Sequence, residues 1–173
     1  HSYTHPWLTA CSSAVVCHQV IEDRKALESM FKTRVPGMAY PYGPTNDTVV
    51  DALSACGIYY ARTTVSTLKF DMPTDWLRLP ATCHHNEPKL MELADRFLSL
   101  TPSRFPQLFY VWGHSYEFER DNNWHVIEDF CDKMADKEDI WYATNIEIYT
   151  AWADYMRLET SADGSMIFNP NCR

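Results

Sequence analysis

Two histidines at the start of the chain have a spacing that suits metal binding. His1 and His5 lie four residues apart, and two imidazoles at this spacing can reach one metal ion from a helix turn or a tight loop. Because the sequence has seven histidines, a chance pair at this spacing is common. Two exposed terminal histidines are therefore the alternative interpretation.

A second candidate is the segment at residues 38–44, MAYPYGP, which follows a predicted strand. The aromatic rings of Tyr40 and Tyr42 can line a sugar groove, and the backbone of the turn can offer N–H groups to an oxyanion. The alternative is a rigid strand-to-helix turn with packed tyrosines. Composition alone favours this structural role.

His114 is the third candidate, because it follows the apolar run LFYVWG at residues 108–113. A histidine just past a buried strand is well placed for acid–base catalysis, since the pKa of imidazole lies near neutral pH. A structural histidine is equally common at such a position. His114 therefore needs support from the other candidates.

Residues 83–86, Cys-His-His-Asn, place a thiol and two imidazoles in one predicted loop. A second metal site is possible there, as is a role in groove lining or local hydrogen bonding. Adjacent side chains in a strand point to opposite faces, which argues against one ion shared by His84 and His85. Solvent exposure of both histidines is the alternative.

Helical and strand patterns alternate along the chain and must position these candidates. Apolar spacing and capping residues predict helices at residues 13–31, 46–56, 89–100, 122–135 and 145–156. Shorter β-rich runs predict strands at residues 37–42, 58–62, 107–113 and 140–143. Residues 63–88 are predicted to form a long connection with a strand near residues 76–79, and Asp163-Gly164 predicts a hairpin turn.

This alternation predicts an α/β fold with a parallel sheet or barrel. A closed eight-stranded barrel needs roughly 250 residues, whereas this chain has 173. We therefore expect an incomplete or distorted (β/α) barrel in one domain at residues 1–160, followed by the start of a C-terminal β-hairpin at residues 161–173. Catalytic side chains in such folds lie on loops that leave the carboxyl ends of strands.

Composition excludes several classes of partner. The net charge is −8 and the lysines and arginines are scattered, so no basic stripe is available for nucleic acid. No apolar run approaches the roughly 20 residues that span a bilayer. None of the six cysteines forms a CxxC pair, and several lie in apolar helical patterns, which favours reduced thiols and a cytoplasmic location.

Taken together and in this order, the three candidates resemble the polysaccharide deacetylase family, carbohydrate esterase family four. The family's His-(Ser/Thr)-x-x-His motif is matched by His1, Ser2 and His5, and its Pro-Tyr-Gly motif by residues 41–43. Its histidine after an apolar strand is matched by His114. The stretches at residues 110–124 and 139–149 are similar to a compact bacterial branch of the family.

The resemblance implies a hydrolase that removes N- or O-acetyl groups from a sugar or glycan, with zinc or another divalent metal ion as cofactor. It implies that His1 and His5 are the metal-binding imidazoles and that the backbone N–H of Tyr42 stabilises the oxyanion. It also implies that His114 protonates the leaving group from across the same cleft. Substrate contact is expected from three nearby residues, Tyr40, Pro41 and Trp112.

The sequence departs from the family pattern in ways that bear on activity. The family's first motif supplies two aspartates, and no such motif occurs here; it would lie upstream of His1. The usual arginine of the third motif is replaced near Ala39, a leucine is replaced by Trp112, and Asp75-Trp76 falls too late to be the fourth motif. We therefore expect the 173 residues alone to be inactive. A non-catalytic carbohydrate-binding remnant is the alternative function, and a purely structural interaction domain is the third.

Overall fold

The computed structural model describes residues 1–101 and 105–170 and is built of helices and short strands. The chain divides into two compact units, His1–Trp141 and a second that begins at Tyr142. The mixed α/β class predicted from the alternating patterns is confirmed. Cys172 and the last residues of the expected hairpin segment lie outside the described residues.

Six α-helices are present among the described residues: α1 (Ser13–Phe31), α2 (Asp47–Ala55), α3 (Leu90–Leu98), α4 (Ser115–Arg120), α5 (Trp124–Met134) and α6 (Asn145–Tyr155). All but α4 were expected from apolar spacing. Asn46 caps α2, because its Oδ1 accepts a hydrogen bond from the N–H of Val49 at 2.9 Å. Such a bond satisfies one of the free N–H groups at a helix start.

Seven short strands form three sheets in the described part of the chain. The first unit contains β1 (Gly37–Ala39), β2 (Tyr60–Ser66) and β3 (Leu79–Ala81), which pair in parallel in that order. It also contains β4 (Cys83–His84) and β5 (Val111–Trp112), which form a second parallel pair. The second unit contains β6 (Glu159–Thr160) and β7 (Ile167–Phe168), which pair antiparallel around the predicted Asp163-Gly164 turn.

These sheets are open, and no closed barrel forms among the residues that the structure describes. The predicted long connection at residues 63–88 is wrong in part, since β2 extends into it and β3 and β4 lie within it. The strand predicted near residues 76–79 is shifted, because Trp76–Arg78 form a 3-10 helix and β3 begins at Leu79. β3 and β4 have only three and two residues, which is too short for a hydrophobic period to be visible in the sequence.

Two predicted strands are shortened or absent. The run at residues 107–113 gives only β5, because the N–H of Tyr110 donates to the Thr82 hydroxyl at 3.0 Å and the N–H of Leu108 donates to the carbonyl of Phe70 at 2.8 Å. These bonds to a side chain and a loop replace a regular ladder. The strand predicted at residues 140–143 is wrong, since these residues form no strand.

The core of the first unit lies where α1 and α2 pack on β1 and β2. Val16 and Val20 of α1 are buried there, whereas Met30 and Phe31 at the end of the same helix are exposed. A second apolar cluster is formed by four residues near α3, namely Phe70, Cys83, Leu90 and Leu93. The first cluster includes Leu8, close in sequence to His1 and His5, and the second includes Cys83, which precedes His84.

The five cysteines that the structure describes are free thiols. Cys56 and Cys83 are buried, and Cys131 is exposed. In the described ranges, no helix combines the length and the apolar character needed to cross a membrane.

Candidate functional site

The first group of candidate residues lies in the opening loop, which we define as residues 1–6. Gln19, a buried side chain on α1, holds this loop. Its Oε1 accepts from the N–H of Thr4 at 2.8 Å, its Nε2 donates to the hydroxyl of Thr4 at 2.9 Å, and its carbonyl accepts from the N–H of Tyr3 at 3.1 Å. The position of the loop is therefore set by α1.

His1 and His5 approach each other within this loop, with their Nε2 atoms 3.0 Å apart. Nδ1 of His1 lies 2.6 Å from the carbonyl oxygen of Ala39 at the end of β1. Because a carbonyl only accepts, this contact assigns the proton of His1 to Nδ1 and leaves a lone pair on Nε2. Such an orienting bond is typical of metal-binding imidazoles.

The geometry of the pair fits two ligand positions of a zinc ion. With Zn–N bonds of about 2.0–2.1 Å, two nitrogens in a tetrahedral site lie about 3.3 Å apart. The same 3.0 Å separation also fits a hydrogen bond from His5 to His1. Among the described residues, no third histidine, cysteine or carboxylate joins His1 and His5 in a group with metal-ligand geometry.

The turn after β1 brings Tyr42 against the opening loop. The rings of His5 and Tyr42 pack edge to face with centroids 4.5 Å apart. Three non-glycine residues of this region, Ser2, His5 and Tyr42, have φ values of 62°, 56° and 61°. Left-handed backbone at such residues is strained, and observed strain of this kind concentrates at functional sites.

Gly43 fixes the position of this turn against β2. Its φ is +94°, and a Cβ added there would lie 2.3 Å from Oγ1 of Thr64, so only glycine fits. The N–H of Gly43 closes the turn on the carbonyl of Tyr40 at 3.1 Å. Among the described residues, the N–H of Tyr42 has no hydrogen-bond acceptor. It can therefore donate to a ligand.

Of the two tyrosines predicted to line a groove at this turn, only Tyr42 is exposed. Tyr40 is 1% exposed and donates its hydroxyl to the carbonyl of Leu77 at 2.6 Å, and Pro41 is also fully buried. This burial argues against direct sugar contact by Tyr40 and Pro41. Instead, the rings of Trp7 and Tyr42 stack at 4.3 Å and are about half exposed (52% and 51%).

A second group of titratable side chains follows β4 and β5. We call His84, His85, His114 and Glu117 the His–Glu cluster. Oε2 of Glu117 lies 3.2 Å from Nε2 of His84, 3.6 Å from Nε2 of His85 and 3.3 Å from Nδ1 of His114. The expectation that His84 and His85 point to opposite faces is wrong: β4 ends at His84, and their ring centroids lie 4.2 Å apart.

His85 is the most enclosed member of the cluster. Its side chain is 2% exposed, and its ring packs at 4.2 Å against Phe118. A Cβ added at Gly113 would lie 1.7 Å from Nδ1 of His85, so the absence of a side chain at Gly113 makes room for this imidazole. Its backbone N–H donates to the carbonyl of Trp112 at 2.8 Å.

The surroundings of His85 and Glu117 lower the pKa of both groups. Burial, followed by the neighbouring His84, lowers the pKa of His85. Burial of Glu117 would raise its pKa, but hydrogen bonds from the backbone and ring of His114 and the nearby imidazoles together lower it. The cluster therefore combines a neutral buried imidazole with an ionised carboxylate near neutral pH.

Arg62 links the two groups. Its Cα is in register with Ala39, which accepts from His1, and its guanidinium lies 4.2 Å from the centroid of the Trp112 ring. The Trp112 ring contacts both His84 and His114, with centroids 4.5 and 5.8 Å apart. Within the described residues, no hydrogen bond or ring contact joins His114 to His1, His5 or Tyr42. The expectation that His114 faces the opening pair across one cleft stays a prediction.

Three residues that position these groups were not predicted: Gln19, Arg62 and Glu117. Gln19 had a visible signal, since it is a polar residue beside Val20 on the apolar face of α1. Glu117 also had one, because His114-x-x-Glu117 has the spacing of a helix-capping pair. The N–H of His114 donates to Oε2 of Glu117 at 3.2 Å. Arg62 had no sequence signal.

Comparison with known proteins supports the resemblance for the first third of the chain. Residues 1–61 match the polysaccharide deacetylase family, and this segment contains His1, His5 and Tyr42. The resemblance drawn from the motifs is confirmed for these residues. The match ends before the His–Glu cluster.

One solved structure that is similar to part of the chain is "Streptococcus pyogenes deacetylase PplD in complex with acetate". The sequences are 24% identical over 38% of this chain and 29% of that one, with a TM-score of 0.37. No curated protein matches the chain.

Proposed function

We propose that this chain, whose first 61 residues carry a polysaccharide deacetylase sequence, forms part of a metal-dependent hydrolase that removes N- or O-acetyl groups from a carbohydrate. The observation that carries the proposal is the 3.0 Å approach of the two Nε2 atoms of His1 and His5 beside the Tyr42 turn. This approach lies within the family match.

In this proposal His1 and His5 hold a zinc or other divalent ion. Such an ion, when bound, lowers the pKa of a coordinated water toward 7 and polarises a carbonyl. Ala39 orients the His1 ring through its carbonyl, and Gln19 holds the loop that carries both imidazoles. The family's first motif, which supplies two aspartates, does not occur in these 173 residues.

Tyr42 has two roles in the proposal. Its backbone N–H donates to the developing oxyanion, which is the position where a preorganised donor stabilises the transition state most. Its ring, stacked on Trp7, offers a flat apolar surface about half exposed to solvent. Stacked aromatic rings of this kind can pack against the apolar C–H face of a sugar.

His114 is the proposed acid that protonates the departing amine or alcohol. Its side chain is 44% exposed, and Nδ1 lies 3.3 Å from Oε2 of Glu117. A carboxylate beside an imidazole fixes the orientation of the ring. Glu117 is therefore a positioning residue for His114, and the Trp112 ring packs edge to face with the His114 ring at 5.8 Å.

The test is acetate release from N-acetylated and O-acetylated oligosaccharides by the natural protein, including any residues beyond these 173. We expect His5→Ala to reduce release to background and His114→Ala to reduce kcat by roughly 10²–10⁴-fold. His125→Ala, an exposed histidine on α5, is the matched control and should keep the wild-type rate. Equal rates for all three variants would refute the proposal.

The alternative function is carbohydrate binding without catalysis. The exposed stack of Trp7 and Tyr42 favours it, as does the lack of a carboxylate ligand beside His1 and His5 in the described part of the chain. Saturable oligosaccharide binding that is lost in Trp7→Ala, together with no acetate release from any acetylated sugar, would favour this alternative over the enzyme.

A further inference from the structure

Three imidazoles converge on one carboxylate oxygen outside the opening loop. The distances from Oε2 of Glu117 to ring nitrogens of His84, His85 and His114 are 3.2, 3.6 and 3.3 Å. Donor atoms of His84, His85 and Glu117 all lie within 4.8 Å of one another. Imidazole nitrogen and carboxylate oxygen are the donors that zinc-class ions accept in proteins, at about 2.0–2.2 Å from the metal.

His85 provides a second, independent observation. Its side chain is 2% exposed, and neither of its ring nitrogens has a hydrogen-bond partner among the described residues. Its Nε2 faces Glu117 at 3.6 Å, which is too long for a hydrogen bond. Buried polar atoms nearly always have a hydrogen-bond partner. A buried nitrogen without one, facing other potential metal ligands, therefore indicates that a ligand binds there.

The donors are also held by rigid elements. His85 is fixed by its N–H bond to the carbonyl of Trp112 and by close packing on Gly113. Glu117 lies in the first turn of α4, where its N–H donates to the carbonyl of His114 at 3.1 Å. A ligand set held by backbone bonds loses little freedom on binding an ion.

We propose that His84, His85 and Glu117 bind a divalent ion of the zinc class at a second metal site, separate from His1 and His5. Two imidazoles and one carboxylate leave a fourth position for water or another ligand, as in open zinc sites. His114 stays outside the ligand set and keeps its contact with Glu117. This site stands independently of the proposed deacetylase function.

Zinc binding to the metal-free protein tests this site. The protein is stripped with a chelator and titrated with Zn²⁺ alone against a chromophoric competitor, and bound zinc is counted by mass spectrometry. We expect two ions per chain in the wild type. His84→Ala and Glu117→Gln should each remove one ion or weaken its binding at least 10-fold. Mutation of residues that only hydrogen-bond to a metal ligand already lowers metal affinity about 10–100-fold, and loss of the ligand itself should lower it at least as much.

Matched controls come from α5, where His125→Ala and Glu128→Gln change exposed side chains of the same types. Circular dichroism checks folding. If His84→Ala unfolds, Glu117→Gln still tests the site, because glutamine has nearly the same shape as glutamate. The second site is overturned if His84→Ala and Glu117→Gln bind as many zinc ions as the two controls do, with the same affinity.

The double variant His1→Ala/His5→Ala separates this inference from the proposed function. Retention of one zinc ion that is then lost on adding Glu117→Gln supports the second site. Loss of all zinc in His1→Ala/His5→Ala overturns the second site and leaves the deacetylase proposal standing. The wild type could instead bind a single ion that Glu117→Gln loses and His1→Ala/His5→Ala keeps. That result supports the second site and counts against a metal ion in the opening loop.

Discussion

The opening loop and the His–Glu cluster both gather imidazoles, but they hold them in different ways. His1 and His5 are exposed, and the loop that carries them is strained at Ser2 and His5 and tied to α1 by Gln19. The His–Glu cluster instead encloses His85 at 2% exposure. An exposed, strained pair suits a site that a substrate must reach, whereas an enclosed set suits tight binding of an ion.

The two regions also differ in charge. In the described residues, the pair of His1 and His5 has no carboxylate in ligand geometry, while Glu117 lies within 3.6 Å of three imidazoles. The opening pair therefore depends on ligands from elsewhere to hold an ion firmly. The cluster contains a complete set of three protein ligands.

If the His–Glu cluster is the more tightly packed region, Gly113→Ala should cause the largest loss of stability. The new methyl group would overlap the His85 ring, which Phe118 prevents from moving away. Overpacking of this kind costs about 1–3 kcal/mol, and we expect a value near the top of that range. Urea denaturation measures it.

Gly57→Ala is the control for this change, because Gly57 has a φ of +72° and a Cβ added there would lie 3.2 Å from Nη1 of Arg24, without the overlap found at Gly113. Left-handed backbone alone costs an alanine roughly 1–2 kcal/mol. A smaller loss in Gly113→Ala than in Gly57→Ala would mean that the His85 ring is free to move.

Gln19→Ala on α1, which holds the opening loop, should cause the next largest loss of stability. It removes two hydrogen bonds to Thr4 from a buried position, and a loss of about 1–2 kcal/mol is expected. Hydrogen exchange at the Thr4 amide should accelerate, while the His85 amide, bonded to Trp112, should not change. His18→Ala, an exposed neighbour on α1, serves as the control. An unchanged Thr4 amide would show that Gln19 does not hold the loop.

The smallest effect is expected for the link between the two regions. Stacking of the Arg62 guanidinium on Trp112 is partly desolvated, and such contacts contribute about 0.5–2 kcal/mol. A double-mutant cycle of Arg62→Ala and Trp112→Ala, measured by urea denaturation, should give a coupling energy near 1 kcal/mol. Additive effects would mean that the two regions are energetically independent.

Much of the fold could be predicted from the sequence, because long helices have caps and repeated apolar positions. The helix at Ser13–Phe31 and the cap at Asn46 follow from such local signals. The strand predicted near residues 76–79 overlaps β3 only at Leu79, and β4 was not predicted, since strands of two or three residues show no period. Their pairing depends on contacts with distant strands.

The candidate site was predictable to a similar extent. His1, His5 and Tyr42 have motif spacing, and the structure brings them together. The burial of Tyr40 was not predictable, because a tyrosine in a turn suits either a groove or a core. Convergence of His84 and His85 on Glu117 requires two segments about 30 residues apart to meet, which only tertiary packing decides.

Anomalous scattering at the zinc edge from crystals grown with zinc tests the central claim most directly. We expect one peak about 2.0–2.1 Å from the Nε2 atoms of both His1 and His5, and a separate peak among His84, His85 and Glu117. A crystal in which the His1 and His5 rings remain hydrogen-bonded to each other, with zinc absent from that pair at saturating concentration, would contradict the account of the opening loop as a metal site.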